Sequence, residues 1–266
     1  MAPPARLYKT EAIILRQRRV GEADRFLTLF TPGMGKVDVK AKGIRKTTSR
    51  MSGHLQPLAY CALQIAQGHT TDVVTGVETL ESFKELSRDL DRLSLGIYAA
   101  ELTDRMTVEH APSYPTFRSL LDTLRRLNAD PEPWQALRYF EAQLLGHAGF
   151  RPEFGVCVVC TKPLEPVENY FVPIAGGTVC RSCVAGMSGP RPLSVNALKF
   201  LRLLQRGPYN DVARVRVDPD LGDEVERHLR SYVICVLERD INSAAFIERL
   251  RKDGLTRANL TAQAIH

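Results

Sequence analysis

The chain has 266 residues, room for one large domain or two small ones, and its 44% apolar and 25% charged composition is ordinary for a globular protein. It carries 36 Lys and Arg against 30 Asp and Glu, a net charge of +6. No run of about 18 apolar residues occurs, so no membrane-spanning helix is expected, and residues 1–9 lack the apolar core of a signal peptide. The protein is therefore expected in the cytoplasm. Six cysteines in that compartment argue against structural disulfides and for metal binding or plain burial.

Residues 6–80 read as five short strands. Residues 8–19 contain A-I-I-L and end at the turn glycine Gly21. Residues 26–31, F-L-T-L-F-T, are apolar on both faces and close with Pro32, Gly33 and Gly35. Residues 36–42, K-V-D-V-K-A-K, alternate strictly: Val37, Val39 and Ala41 point one way, and Lys36, Asp38, Lys40 and Lys42 the other. Residues 60–67 and 72–80 supply the fourth and fifth strands. Five short strands in this length fit a small barrel of the OB type, which binds oligonucleotides, although an SH3-like sheet gives a similar pattern.

Charge is concentrated in this first region. Residues 1–52 hold twelve Lys and Arg against four Asp and Glu, a net of +8, whereas the rest holds twenty-four against twenty-six, a net of −2. Lysines on a strand's outer face can simply blunt a sheet edge. A positive excess confined to one fifth of the chain is instead the electrostatic footprint of a polyanion site. The expected nucleic-acid-contacting residues are Lys36, Lys40 and Lys42 on the strand, Arg45, Lys46 and Arg50 on the following basic loop, and Arg16, Arg18, Arg19 and Arg25 on neighbouring strands. Phe26 and Phe30 are expected in the core, so base stacking should contribute little and phosphate contacts should dominate.

From Phe83 onward the apolar period becomes helical. Leu86, Leu90, Leu93, Ile97 and Leu102 mark one stripe, running to Met106. Residues 116–127 form a second helix, with Phe117, Leu120, Leu121 and Leu124 inward. Residues 134–147 form a third, ended by Gly149. Ser194 caps a fourth carrying Leu198, Leu201 and Leu204. Residues 223–240 follow, with Val225, Leu229, Tyr232, Val233 and Val236 on one face, and 243–251 close the series.

Between the third and fourth helices lie C-V-V-C, Cys157 to Cys160, and C-R-S-C, Cys180 to Cys183. Each pair places two thiolates on one tight knuckle, and two knuckles complete the tetrahedron of one structural zinc ion. Four thiolates leave no open position for catalysis. Cys61 and Cys235 sit in apolar periodic runs and read as core residues. There is no P-loop, nucleophile elbow, HExxH or dinucleotide fingerprint, and the six histidines are scattered. A metal-dependent nuclease needs converging carboxylates, and the basic region offers only Glu11, Glu22, Asp24 and Asp38. A non-catalytic nucleic-acid binder fits best, and these residues leave DNA and RNA both open. The alternatives are a zinc-containing RNA-binding protein or a nucleic-acid-processing enzyme.

The stretch G-E-A-D-R-F-L-T-L-F-T, Gly21 to Thr31, with the following G-K-V-D-V-K-A-K-G-I-R-K, resembles the bacterial RecO family of recombination mediators. The order of parts is similar over nearly the whole chain. The resemblance implies an α+β protein with residues 1–80 as an OB-fold nucleic-acid-binding domain, 81–152 and 190–251 as a helical domain, 153–189 as a zinc-binding insertion and 252–266 as a partly disordered tail. It also implies binding of single- and double-stranded DNA and annealing of complementary strands. With RecR, such a protein loads RecA onto DNA covered by single-strand-binding protein. The family has no catalytic residues to carry over. A monomer alone, without membrane association and localised to the nucleoid, is the corresponding expectation.

Overall fold

Strict alternation is borne out across a closed sheet. Strands β1 (Leu7–Val20), β2 (Asp24–Thr31), β3 (Gly35–Ala41), β4 (Tyr60–Ala66) and β5 (Asp72–Glu81) form a barrel in the order β1-β2-β3-β5-β4. All neighbours are antiparallel except β3 and β5, which are parallel. This is an OB-fold barrel. The computed structural model describes residues 6–44, 49 and 51–238. The basic loop residues Arg45, Lys46 and Arg50, the helix expected over 243–251 and the tail 252–266 lie outside the described residues.

Val37, Val39 and Ala41 of β3 meet Leu27 and Leu29 of β2, Ala12 and Ile14 of β1, and Leu63 and Ile65 of β4 in the barrel core. Each fully buried aliphatic side chain of this kind contributes roughly 1.5–3 kcal/mol. The register places Phe26, Thr28 and Phe30 on the opposite, outer face of β2, across from Lys40, Asp38 and Lys36 of β3.

Helices α1 (Lys84–Arg88), α2 (Leu90–Met106) and α3 (Tyr114–Ala129) follow. The first helical stretch is two helices because Asp89 interrupts it. Its carboxylate accepts from the backbone N–H of Asp91 and Arg92 and so starts α2 afresh. The buried face of α2 is Leu95, Tyr98, Ala99 and Leu102, while Leu90 and Ile97 are exposed. Helix α3 buries Phe117, Leu120, Leu121 and Leu124 as its period requires. Phe117 packs on Phe30 and Tyr60, with ring centroids 6.2 and 6.1 Å apart, so α3 covers part of the barrel's outer face.

The chain divides between Pro131 and Glu132, inside the stretch 81–152 that the sequence assigns to one helical domain. The second unit begins with α4 (Pro133–His147) and continues through β6 (Asn169–Val172), a 3-10 turn (Pro173–Ala175), β7 (Gly177–Val179) and β8 (Arg191–Leu193). Helices α5 (Val195–Arg206), α6 (Tyr209–Ala213) and α7 (Pro219–Leu237) complete it. Helix α4 packs on α5, α6 and α7. Trp134 stacks on Phe200 at 6.4 Å, and Gln143 Nε2 donates to the Leu204 carbonyl at 2.7 Å. Ser194 caps α5 by accepting from Ala197 N–H. Asp218 caps α7, with Pro219 in its first turn, so this helix begins before residue 223. No described helix is long and apolar enough to cross a membrane.

Strands β7, β6 and β8 form a small sheet whose Phe171 meets Phe154, His228 and Tyr232 at 5.6, 5.4 and 5.7 Å. The cysteine segment is therefore bolted to α7 by its own aromatic core. His228 is buried there. Burial pushes its pKa down, outweighing the opposing effects of Glu224 and the Pro192 carbonyl, with Arg191 and Arg227 lowering it further. The unfolded chain thus binds a proton that the folded chain refuses. Stability is fully present above the ordinary histidine value of about 6.5 and declines as the pH falls below it. His228→Gln is expected to lose less melting temperature than wild type between about pH 7.5 and pH 5.5. Equal losses in a thermal melt would contradict this.

Candidate nucleic-acid interface and metal centre

Among the described residues, the cations expected to bind DNA do not form one surface. Those on the outer face fall into rows across β1, β2 and β3. One row is Ile13, Phe30 and Lys36, the next Arg16, Thr28 and Asp38, and the third Arg18, Phe26 and Lys40. Helices cover the first row: Ile13 and Phe30 are wholly buried. Lys36 Nζ reaches Asp104 of α2, 3.1 Å from Oδ1 and 2.5 Å from the backbone carbonyl, and its side chain is only 13% exposed. Lys36 is therefore a cation that ties the barrel to α2. Arg16 shares the same carboxylate, with Nε 2.7 Å from Asp104 Oδ2, but its side chain is 52% exposed.

The third row is open. Arg18 is exposed, and its guanidinium lies over the Phe26 ring at 4.7 Å. Phe26 is half-buried on the outer face, not in the core as its doubly apolar strand suggested. Lys40 Nζ is 2.9 Å from Asp24 Oδ2, and Gly43 N–H donates to Asp24 Oδ1 at 2.8 Å. The Gly43 amide first, and then Lys40 and Lys42, hold the Asp24 carboxyl below its usual range. Asp24 thereby pins the β1–β2 turn to the end of β3. Gly43 has φ +62°, so the turn suits glycine. Lys42 is exposed just beyond β3.

Arg19 and Arg25 stand opposite one another in the register, on the alternate parity of the strands at the barrel's end. Arg25 Nη1 donates to Gln17 Oε1 at 2.6 Å. Asp38 accepts from Thr28 Oγ1 at 2.5 Å. Glu11 accepts from the Tyr60 hydroxyl at 2.5 Å.

The four cysteines Cys157, Cys160, Cys180 and Cys183 converge, their sulfur atoms all within 4.8 Å of one another and those of Cys160 and Cys180 at 3.9 Å. A tetrahedron with metal–sulfur bonds of about 2.3 Å has sulfur–sulfur edges of about 3.8 Å, so the set fits one thiophilic cation. Backbone geometry builds it. Residues 153–158 run beside β7: Thr178 N–H donates to the Glu153 carbonyl at 2.9 Å and Val158 N–H to the Thr178 carbonyl at 3.0 Å. Gly177 makes this approach possible, because a Cβ there would lie 2.6 Å from the Glu153 carbonyl oxygen. Gly176, at φ +77°, supplies the turn before it.

Burial raises the Cys157 thiol, but the N–H groups of Cys160, Cys180 and Val159 and the Cys160 side chain outweigh it and bring its pKa to about 6. The Cys183 thiol, donating its S–H toward the Cys180 and Cys160 sulfurs, is pushed up to about 12. The four thiols share protons through these hydrogen bonds, and a metal ion bound by all four would take them as thiolates. Among the described residues no other group of three or more metal-ligating side chains converges.

The family profile described as Recombination protein O N terminal matches residues 5–83, and that described as Recombination protein O C terminal matches residues 87–245. The chain is 36% identical over 244 residues to the DNA repair protein RecO of Dehalococcoides mccartyi, covering 92% of this chain and 96% of that one. It is 39% identical over 247 residues to the DNA repair protein RecO of Roseiflexus sp. (strain RS-1), covering 93% and 87%. With the DNA repair protein RecO of a Nocardioides species the identity is 37% over 251 residues, covering 91% and 100%. The chain belongs to the RecO family of DNA repair proteins.

Proposed function

We propose that this chain is a recombination mediator that binds single- and double-stranded DNA, anneals complementary strands, and with RecR promotes RecA loading on DNA covered by single-strand-binding protein. The observation that carries the reading is the open, cationic half of the barrel's outer face: Arg16, Arg18, Lys40 and Lys42, with Arg19 at its end. Arg45, Lys46 and Arg50 follow Lys42 in the sequence and add three further cations. Lys36 is left out because α2 engages it, and Arg25 is engaged by Gln17.

Phosphate contacts are indifferent to sequence and serve one strand or two. A protein that holds strands mainly by their backbones leaves most bases free to pair, which suits annealing. No covalent step is assigned. The carboxylates of the basic region are dispersed, with Asp24, Asp38 and Glu11 each held by a local partner. The cysteine set holds one structural zinc ion, since four thiolates leave no position for water. The protein acts in the cytoplasm at the nucleoid, as a monomer when alone.

The test is a strand-annealing assay with labelled complementary DNA, run beside RNA strands of the same sequence. Faster DNA annealing with intact strands, suppressed by salt, is expected. Binding to RNA but not DNA, or cleavage of the strands, would favour the alternative classes.

A further inference from the structure

We infer that Phe26 is a nucleobase-stacking platform, so the barrel holds single strands by their bases as well as their phosphates. This rests on the reading of the β1–β3 outer face as the DNA surface. Three observations point to it. Phe26 sits at the centre of the open row, flanked in register by Arg18 on β1 and Lys40 on β3. The other ring on the outer face of β2, Phe30, is wholly buried beneath Phe117. Phe26 is not buried, and what lies over it is a guanidinium, 4.7 Å from the ring centroid, carried by the exposed Arg18.

A cation over an aromatic face at an exposed site is weakly held and can be exchanged. A base entering the row takes the ring face. Arg18 swings outward by its flexible stem onto the adjacent phosphate, where its planar fork makes charge-assisted hydrogen bonds. The positive charge stays in the row, and the ring exchanges one π-face partner for another. A paired base cannot do this, because its faces are taken up in the duplex stack. Duplex DNA therefore meets only the cations, whereas a single strand meets the cations and the ring. The surface should hold single strands more tightly than its charge alone predicts, in a step that salt does not weaken.

The experiment compares wild type, Phe26→Leu, Phe26→Tyr and the charge reversal Lys40→Glu with Lys42→Glu. Each is titrated into an oligothymidylate strand, an abasic strand of the same length, and a duplex. Phe26→Leu keeps an apolar side chain, and circular dichroism checks the fold. It should weaken oligothymidylate binding roughly five- to 140-fold, corresponding to 1–3 kcal/mol per stacked base at 1.4 kcal/mol per decade. Abasic-strand and duplex affinities and all salt slopes should stay unchanged, and Phe26→Tyr should bind as wild type. If the charge reversal weakens binding but Phe26→Leu leaves the ratio of oligothymidylate to abasic affinity unchanged, stacking is overturned and the DNA face survives. If the charge reversal also leaves binding unchanged, both are overturned.

Discussion

Reversing the charge at Lys40 and Lys42 together is expected to reduce affinity for single- and double-stranded DNA by about tenfold per lost contact at low salt, or about 1.4 kcal/mol each. The dependence on salt should flatten as well. Each duplex phosphate contact contributes about 0.9 to the slope of log affinity against log salt, and each single-strand contact about 0.7. Two lost contacts therefore remove about 1.8 from the duplex slope. These lysines are the clean choice because both reach solvent at the open end of the face, while the core beneath them is Val39 and Ala41. Lys40→Glu does set a second carboxylate beside Asp24. That carboxylate keeps its Gly43 hydrogen bond, and the pair is partly exposed, so the cost in stability is small. Lys36→Glu is a poor control, since it would drive a carboxylate against Asp104 in a largely covered position. The measurement is a salt series by fluorescence anisotropy, with circular dichroism as a check on the fold.

Removing the metal should produce the largest change in stability. A structural zinc supplies folding free energy outright, on the order of 10 kcal/mol in small zinc modules, comparable to the 5–15 kcal/mol of a whole domain. Without it, residues 153–158 and β7 lose the tie that holds the two knuckles together. The sheet then loosens its hold on α7 through Phe171, which touches both His228 and Tyr232. Cys157→Ser, or a strong chelator, is therefore expected to lower the melting temperature of the second unit by more than 10 °C, the scale of several kcal/mol in a domain this size. DNA affinity should change little, because the site has no chemistry to lose. Elemental analysis should give one zinc per wild-type chain and a marked deficit in the variant. Zinc-free wild-type protein, or a variant as stable as wild type, would contradict this account.

The barrel was legible because a period of two is a strong signal: Val37, Val39 and Ala41 point inward as their spacing requires, and Lys36, Asp38, Lys40 and Lys42 share the other parity. Parity says which face a side chain takes but not what covers that face. Lys36 and Lys40 lie four residues apart, about 13 Å along a strand. One ends beneath α2 and the other in the open. The same limit misplaced Phe26: F-L-T-L-F-T is apolar on both sides, and only the position of α3 separates a buried Phe30 from a half-exposed Phe26.

The cysteines declared themselves by spacing. The three-stranded sheet that carries them did not, since strands of three or four residues show no period. Asp89 was hidden inside an apparently continuous helical stripe, where its role as a cap is visible only from the N–H groups it accepts. The unit boundary falls where Pro131 and Pro133 interrupt the helices. The sequence marks that break, but helical periodicity on both sides reads equally well as one body.

The central claim is that DNA lies on the open half of the barrel's outer face. Backbone hydrogen exchange read by mass spectrometry, with and without a saturating oligothymidylate, tests it most directly. Peptides covering residues 16–26 and 38–44 should gain protection, while those covering β4, β5 and residues 153–193 should not. Protection confined to the second unit, with residues 16–26 and 38–44 unchanged, would contradict the account.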